Sequence, residues 1–249
     1  MATAYIGTSG YIYTDWRGRF YPKDLPQTRW LEFYAQRLLT VELNVTFYRL
    51  PSESAFEGWY ERTPETFRFA VKGSRFITHI KRLRDVEDAF RLFLKRVRLL
   101  REKLAIILWQ LPPSFRIDLE RLERFVDLLA AYRRIRHVLE VRHTSWVAPA
   151  TMRLLRDAGV ALCETDFPDC PVREAPTTDF AYIRRHGTAG LLYGGRYTKP
   201  ELSQDAKTIR RYLQDDRDVF CYFNNDQHAY AATNALELID LLKTRNETP

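Results

Sequence analysis

Short runs in which apolar and polar residues alternate recur along this chain, separated by stretches with apolar residues every three or four positions. The segment His137–Trp146, HVLEVRHTSW, shows the first pattern. Val138, Glu140 and Arg142 fall on one side of it, Leu139 and Val141 on the other. A period of two is that of a strand, whose successive side chains point to opposite faces. Here the polar face carries an acid and a base two residues apart, and the apolar face carries plain aliphatics.

The same reading predicts strands over Ala4–Thr8, Thr40–Tyr48, Phe67–Lys72, Leu104–Gln110, Val160–Glu164, Phe180–His186 and Val219–Phe223. In the second of these, Val41, Leu43 and Val45 oppose Glu42, Asn44 and Thr46; in the third, Phe67, Phe69 and Val71 oppose Arg68, Ala70 and Lys72. Helical spacing is predicted over Trp30–Leu39, Ser54–Arg62, Lys81–Lys103, Asp118–Ala131, Thr151–Ala158, Ser203–Leu213 and Asn234–Leu242. Asp118 reads as an N-cap and Gly159 as a helix stop. Eight strands alternating with helices over 249 residues predict an α/β fold, a single (β/α)8 TIM barrel. An open doubly wound sheet has both faces covered by helices and leaves no place for charged positions on so many strands.

Composition supports one large core, with 45% hydrophobic and 14% aromatic residues. No apolar run approaches the ~18 residues of a membrane span. The first ten residues show neither the basic region nor the apolar stretch of a signal peptide. Cys163, Cys170 and Cys221 have no CxxC spacing, so a reducing, cytoplasmic setting is expected. The net charge is +7, and Lys81–Lys103 alone holds nine Lys/Arg against four Asp/Glu. Its apolar residues Val86, Phe90, Phe93, Val97 and Leu100 keep helical spacing. That makes it an amphipathic helix with a solvated basic face, or more sharply a nucleic-acid surface.

In a closed barrel one strand face packs on helices and the other enters the lumen. The lumen then receives Glu42, Asn44, Arg68, Lys72, Gln110, Glu140, Arg142, Arg184 and His186, with Asp226 at the end of the last strand. Buried charges must pair, stay hydrated or meet a ligand. Catalytic groups of such barrels sit at the C-terminal ends of strands. His186, Asp226 and Glu140 are therefore the catalytic candidates. Asn44, Tyr48, Lys72, Gln110, Arg142, Trp146, Arg184 and Asn225 are the substrate-binding candidates. The blander alternatives are that Glu42 and Glu140 only pair with Arg68 and Arg184, that His186 is a core histidine, and that Asn224–Asp226 is a turn and cap. Four cations (Arg68, Lys72, Arg142, Arg184) against three acids (Glu42, Glu140, Asp226) favour an anionic ligand over a bare divalent metal. Gly7–Gly10, GTSG, reads as a turn that offers backbone N–H groups to an anion, or as a tight turn only. The aromatic loop Tyr11–Tyr21 lines the mouth or closes one end of the core. No HExxH, P-loop, GxGxxG or GxSxG element is present.

The motifs GTSGY (7–11), FYP (20–22), VELNVTFYRLP (41–51), FRFAVK (67–72), ITH (77–79) and QLPPSF (110–115) resemble those of the DUF72, or YecE-like, family of uncharacterised barrel proteins. EVRHTSW (140–146), YIRRHG (182–187) and YFNND (222–226), with Asn234-Ala235, continue the resemblance in order. It implies a TIM barrel and no established reaction. Tyr11 stands where the family has Trp, and Ala105 and Ala229 where it tends to have Gly.

Three functions follow as expectations. The leading one is a barrel enzyme acting by general acid–base chemistry on a small or polymeric anionic substrate, phosphorylated or nucleotide-like, without a redox cofactor. In it Arg142, Arg184 and Lys72 bind the anion, His186 and Asp226 transfer protons, and Asn44 and Gln110 orient the substrate. The second is a metal-dependent enzyme of the sugar-isomerase or phosphodiesterase kind, with Glu42, Glu140, Asp226 and His186 as ligands. The third is a nucleic-acid-binding protein that uses the Lys81–Lys103 face.

Overall fold

A computed structural model describes residues 1–173, 176–188 and 191–244 of the chain. The first part runs β1 (Ala4–Ser9), α1 (Trp30–Ala35), β2 (Thr40–Leu43), α2 (Val45–Tyr48), α3 (Glu53–Glu61), β3 (Arg68–Lys72), α4 (Glu87–Val97), β4 (Leu104–Gln110) and α5 (Leu119–Ala130). The second runs β5 (Arg136–Glu140), α6 (Pro149–Ala158), β6 (Ala161–Leu162), β7 (Glu164–Thr165), β8 (Phe180–Arg185), α7 (Lys199–Gln214), β9 (Asp218–Phe223) and α8 (Tyr230–Lys243). Neighbouring strands are parallel, in the order β6-β5-β4-β3-β2-β1-β9-β8-β7. The two ends of that order are consecutive in the chain. β6 pairs with β5 and β7 with β8, and only Cys163 separates them. The barrel thus closes through one bent strand, and the eight predicted strands appear as nine pieces.

The two strand faces separate as their alternation requires. Val41, Leu43, Phe69, Val71, Ile107, Trp109, Leu139 and Val141 face the helices and join the main core. Ala70, Ile106, Leu108, Val138, Phe180, Tyr182, Phe220 and Tyr222 fill the lumen as a second apolar cluster. The charged positions Glu140 and Lys72 lie two residues further along the strands than Val138 and Ala70, which places them nearer the C-terminal ends. Asp118 caps α5 by accepting from Arg121 N–H, and Gly159 ends α6 at φ +67.

Several expectations are corrected. The predicted strand Thr40–Tyr48 stops at Leu43, because the chain turns at Asn44 (φ −97, ψ −18) and Val45–Tyr48 is helical. The Thr46 hydroxyl bonds the carbonyls of Leu43 (3.0 Å) and Lys72 (2.6 Å), a tertiary tie that overrides a β-branched run. Lys81–Lys103 is not one helix. Arg82, Leu83 and Asp85 have positive φ before α4, and Arg101 (φ 49) breaks the helical stretch after it. GTSG offers no anion turn, since β1 runs through to Ser9. Thr8 N–H donates to the Tyr34 hydroxyl at 3.0 Å and Gly10 N–H to the Glu42 carbonyl at 2.8 Å. Gly7 serves a close approach, as a Cβ there would lie 2.2 Å from the Thr40 carbonyl oxygen. Ala229, where the family tends to have Gly, adopts φ +62.

The aromatic loop closes the core beside the first strands. Trp16 and Tyr21 are buried, Tyr21 stacks on Trp30 at 4.4 Å, and Trp16 Nε1 donates to the Asp226 carbonyl at 2.7 Å. The three cysteines are buried and unpaired. Among the described residues no helix is long and apolar enough to cross a membrane.

Candidate functional site at the barrel mouth

Above the apolar layer the lumen holds a ladder of charges. Arg184, on β8, reaches Glu42 of β2 at 2.8 Å with one terminal nitrogen and Glu140 of β5 at 2.6 Å with the other. Glu42 also accepts from Ser9 Oγ (2.7 Å) and the Tyr182 hydroxyl (2.6 Å). Glu140 Oε1 meets Arg142 at 2.7 Å and His186 Nε2 at 3.2 Å. Glu42, Glu140, Arg142, Arg184 and His186 are all less than 5% exposed. Burial alone would push both carboxyls up. Arg142 and Arg184 outweigh it and hold Glu140 well below the usual carboxylate range, and Arg184 with the Tyr182 bond lowers Glu42. Two acids and two arginines therefore balance in the ladder.

His186 lies at the top of it, 3.2 Å from Arg142 and with Nδ1 3.1 Å from Asn224 Nδ2. Burial, helped by Arg184, lowers it to about 4, so the ring is neutral at pH 7. With Asn224 donating to Nδ1, the proton sits on Nε2 and points at Glu140. With the Asn224 amide turned over, the proton moves to Nδ1 and Nε2 accepts from Arg142. The neutral imidazole thus lies between a carboxylate and a guanidinium. The rings of Phe167 and Tyr193 stand edge-on to it at 5.8 and 6.0 Å.

Lys72 ends β3 on the same side. It is half-buried, its Nζ lies 4.3 Å from the centroid of Phe47, and among the described residues no carboxylate pairs with it. Burial, then Arg184, lowers its pKa to about 7; Glu140 and Glu42 oppose the shift. Arg142 spends one terminal nitrogen on Glu140 and His186, lies flat on Phe167 at 3.8 Å, and has a buried Nε with no partner. Arg142 Nη1 and Lys72 Nζ form no ion pair among the described residues.

The other candidates divide. Gln110 lies beside Glu140 in the sheet register and its amide donates to the Leu111 carbonyl. Asn44 sits where β2 turns into α2 with a buried, unpartnered Oδ1. Asn44 and Leu43 line a cavity of about 180 Å³ with Tyr11, Tyr13 and Trp59. Tyr48 is 78% exposed. Asp226 is half-buried, and burial with nearby Asp15 raises its pKa; no hydrogen bond joins its carboxylate to His186. Trp146 is not brought to the site. It is wholly buried, with its ring N–H on the Phe115 carbonyl at 2.6 Å. Asn225 likewise holds the Gly195 carbonyl and Asn234. Arg184 and Glu140 are spent on each other and on their neighbours, so they position the site. Arg68 leaves the cluster altogether: it starts β3 and bonds the Glu65 and Phe67 carbonyls. Residues the sequence reading missed are Ser9, Tyr182, Asn224, Phe47 and His79, whose ring stands 4.9 Å from Phe47. The period of two in Phe180–His186 already put Tyr182 on the side of Arg184 and His186.

Among the described residues the metal-ligand set of the second expectation does not come together. Among the described residues no three His, Cys, Asp or Glu side chains stand together as a metal requires, and Arg184 occupies Glu42 and Glu140 instead. Part of the basic segment is engaged within the chain. Arg91 pairs with Asp88, Arg96 with Glu53, and Arg98 and Arg101 lie over Tyr132 and Tyr60. Lys103 is buried against the carbonyls of Tyr60 and Thr63.

The profile of the family described as "Protein of unknown function DUF72" matches residues 5–249. The UPF0759 protein YunF of Bacillus subtilis is 28% identical over 96% of this chain and 94% of its own length. The UPF0759 protein YecE of Escherichia coli K12 is 34% identical over 47% of this chain and 43% of its own. A crystal structure of a DUF72 family protein from Thermotoga maritima superimposes with a TM-score of 0.87 and 29% identity, covering 97% of this chain and all of that one.

Proposed function

The chain belongs to the DUF72 family of proteins of unknown function, and on that premise we propose that it is an enzyme acting on a small anionic substrate at the C-terminal mouth of its barrel. Arg142 holds the anionic group with Nη1, which makes no hydrogen bond among the described residues, Lys72 adds the second positive donor, and neutral His186 relays protons between substrate and the Glu140–Arg142 pair. The observation that carries this reading is a charge balance. Glu42 and Glu140 are neutralised by Arg184 and Arg142, so Lys72 is surplus positive charge in a half-buried position. A surplus cation there is costly unless an anion meets it or it works as a base.

The probe is inorganic phosphate, titrated by calorimetry into the purified full-length protein. Binding is expected, weakened about tenfold or more in Arg142→Ala, since a charged hydrogen bond contributes roughly 1.5–3 kcal/mol. Circular dichroism of the variant should stay that of the parent, because Glu140 keeps Arg184. Equal affinity in parent and variant, or no phosphate binding at all, overturns the assignment.

A further inference from the structure

Anion binding under-uses Lys72. A lysine that only supplies charge is met by a carboxylate or by water, and Lys72 has neither in full: half-buried, it rests on the face of Phe47 and forms no ion pair among the described residues. The charged groups near enough to act on it are Glu42 on β2, Glu140 on β5 with Arg142 just beyond, and Arg184 on β8, and it in turn acts on His79, which follows β3. Both acids are already committed to arginines. What remains for Lys72 is a cramped, cation-crowded position at the open end of a barrel strand.

We propose that Lys72 is the nucleophile of this site, its Nζ condensing with the carbonyl of an anionic aldehyde or ketone to form an imine while Arg142 holds the substrate's anionic group. This rests on the anion-binding reading of the mouth and adds to it the carbonyl and the covalent step. The neutral amine's lone pair attacks the carbonyl carbon, and the π pair moves to oxygen, which takes a proton. The nitrogen lone pair then expels that hydroxyl, which leaves with a second proton as water. One carbonyl oxygen and two amine hydrogens depart together, so no oxidant or reductant is needed. In this reaction His79 carries the protons. Its ring touches Phe47, as Lys72 does, its Nδ1 is held by Thr78 at 2.9 Å, and Nε2 makes no hydrogen bond among the described residues. Burial, with Lys72 and Arg75 nearby, lowers it to about 4, which keeps it a neutral acceptor.

Burial and Arg184 also lower Lys72 itself to about 7, so about half its molecules carry a free amine at neutral pH. A solvated lysine near pKa 10.4 carries roughly a thousandth of that, and lower basicity returns part of the gain, leaving an advantage on the order of tenfold.

The test uses pyridoxal 5′-phosphate, an anionic aldehyde, with cyanoborohydride on the full-length protein, followed by peptide mapping. Lys72 is one of eight lysines and should carry the first adduct, about tenfold ahead of the others and slowed by inorganic phosphate. Lys72→Arg should lose the adduct while its circular dichroism stays that of the parent. Labelling spread over other lysines, or unchanged in Lys72→Arg, overturns the imine while phosphate binding by the same sample leaves the mouth reading intact. Labelling of Lys72 that phosphate does not slow also overturns it, since the imine is tied to Arg142. Failure of both phosphate binding and labelling removes the underlying reading as well.

Discussion

Arg184 bridges the Glu42 and Glu140 carboxylates in the lumen, and its removal has a definite sign. Arg184→Met keeps most of the volume and leaves Glu42 without a cation, with Glu140 reduced to Arg142. Breaking one partner of a buried ion pair costs roughly 3–5 kcal/mol, because the remaining charge stays buried. Urea unfolding should show that loss, and Arg184→Met combined with Glu42→Gln should recover part of it. An unchanged midpoint in the single variant would mean the ladder contributes nothing to the fold. The same reasoning shows where a sequence stops being informative about partners. Arg68 and Lys72 share a strand face, and four residues along a strand span about 13 Å. That distance puts Arg68 at the floor of the barrel and Lys72 at its mouth, so only one of them meets the polar layer. Glu140 meets a residue 44 positions away in Arg184, and this depends on how the strands stagger, which no single strand's pattern records.

At the scale of elements, two glycines predict opposite outcomes for the same substitution. Gly73 follows β3 and packs under Trp109; a Cβ there would lie 2.3 Å from the indole ring. Trp109 is itself locked among Phe90, Phe93 and Phe125, so it has no room to retreat. Gly73→Ala should cost about 1–3 kcal/mol or more. It should also weaken phosphate binding by shifting the adjacent Lys72. Gly58 sits inside α3, and a Cβ there would meet nothing within 4 Å. Gly58→Ala should therefore stabilise the protein by about 0.5–1 kcal/mol. Thermal unfolding of the pair decides the matter, and a shift of the same sign in both would refute the local argument. The elements whose patterns were clear are those held by this kind of packing. Phe67–Lys72 was legible because an apolar side alternates with a polar one, and Leu104–Gln110 and Val219–Phe223 because they are short continuous apolar runs. Thr40–Tyr48 was not, because the helix over Val45–Tyr48 is held by a Thr46 bond to a neighbouring strand. Lys81–Lys103 misled for a related reason: its apolar spacing is real and those residues are buried, yet positive-φ turns at Arg82, Leu83, Asp85 and Arg101 leave no sequence mark as glycine would.

For the whole molecule, these burials combine into a pH dependence whose direction can be worked out. His79, His137 and His186 are each lowered to about 4, by burial in every case, with cationic neighbours adding to it for His79 and His186. The unfolded chain takes up protons on these rings from about pH 6.5 downward, while the fold refuses them until about 4. Stability from them is therefore whole above pH 6.5 and lost as the pH falls toward 4. Between pH 7 and pH 5 the loss is about 2 kcal/mol for each of the buried His137 and His186, and less for the half-exposed His79. Glu42 and Glu140 act lower down. Their folded pKa values are depressed, so their contribution holds above the ordinary carboxylate value and disappears as the pH drops through the lowered ones. Acid unfolding should thus begin with the histidines and finish with the ladder. His137 lets the first stage be isolated, since it sits in the helix-side core against Trp109, away from the ladder. In urea titrations at pH 7 and pH 5, His137→Gln should show a drop about 2 kcal/mol smaller than the parent. An equal drop would assign the loss to other groups. A variant at His186 would not serve as well, because it disturbs the hydrogen bonds to Glu140 and Arg142 together with the titration.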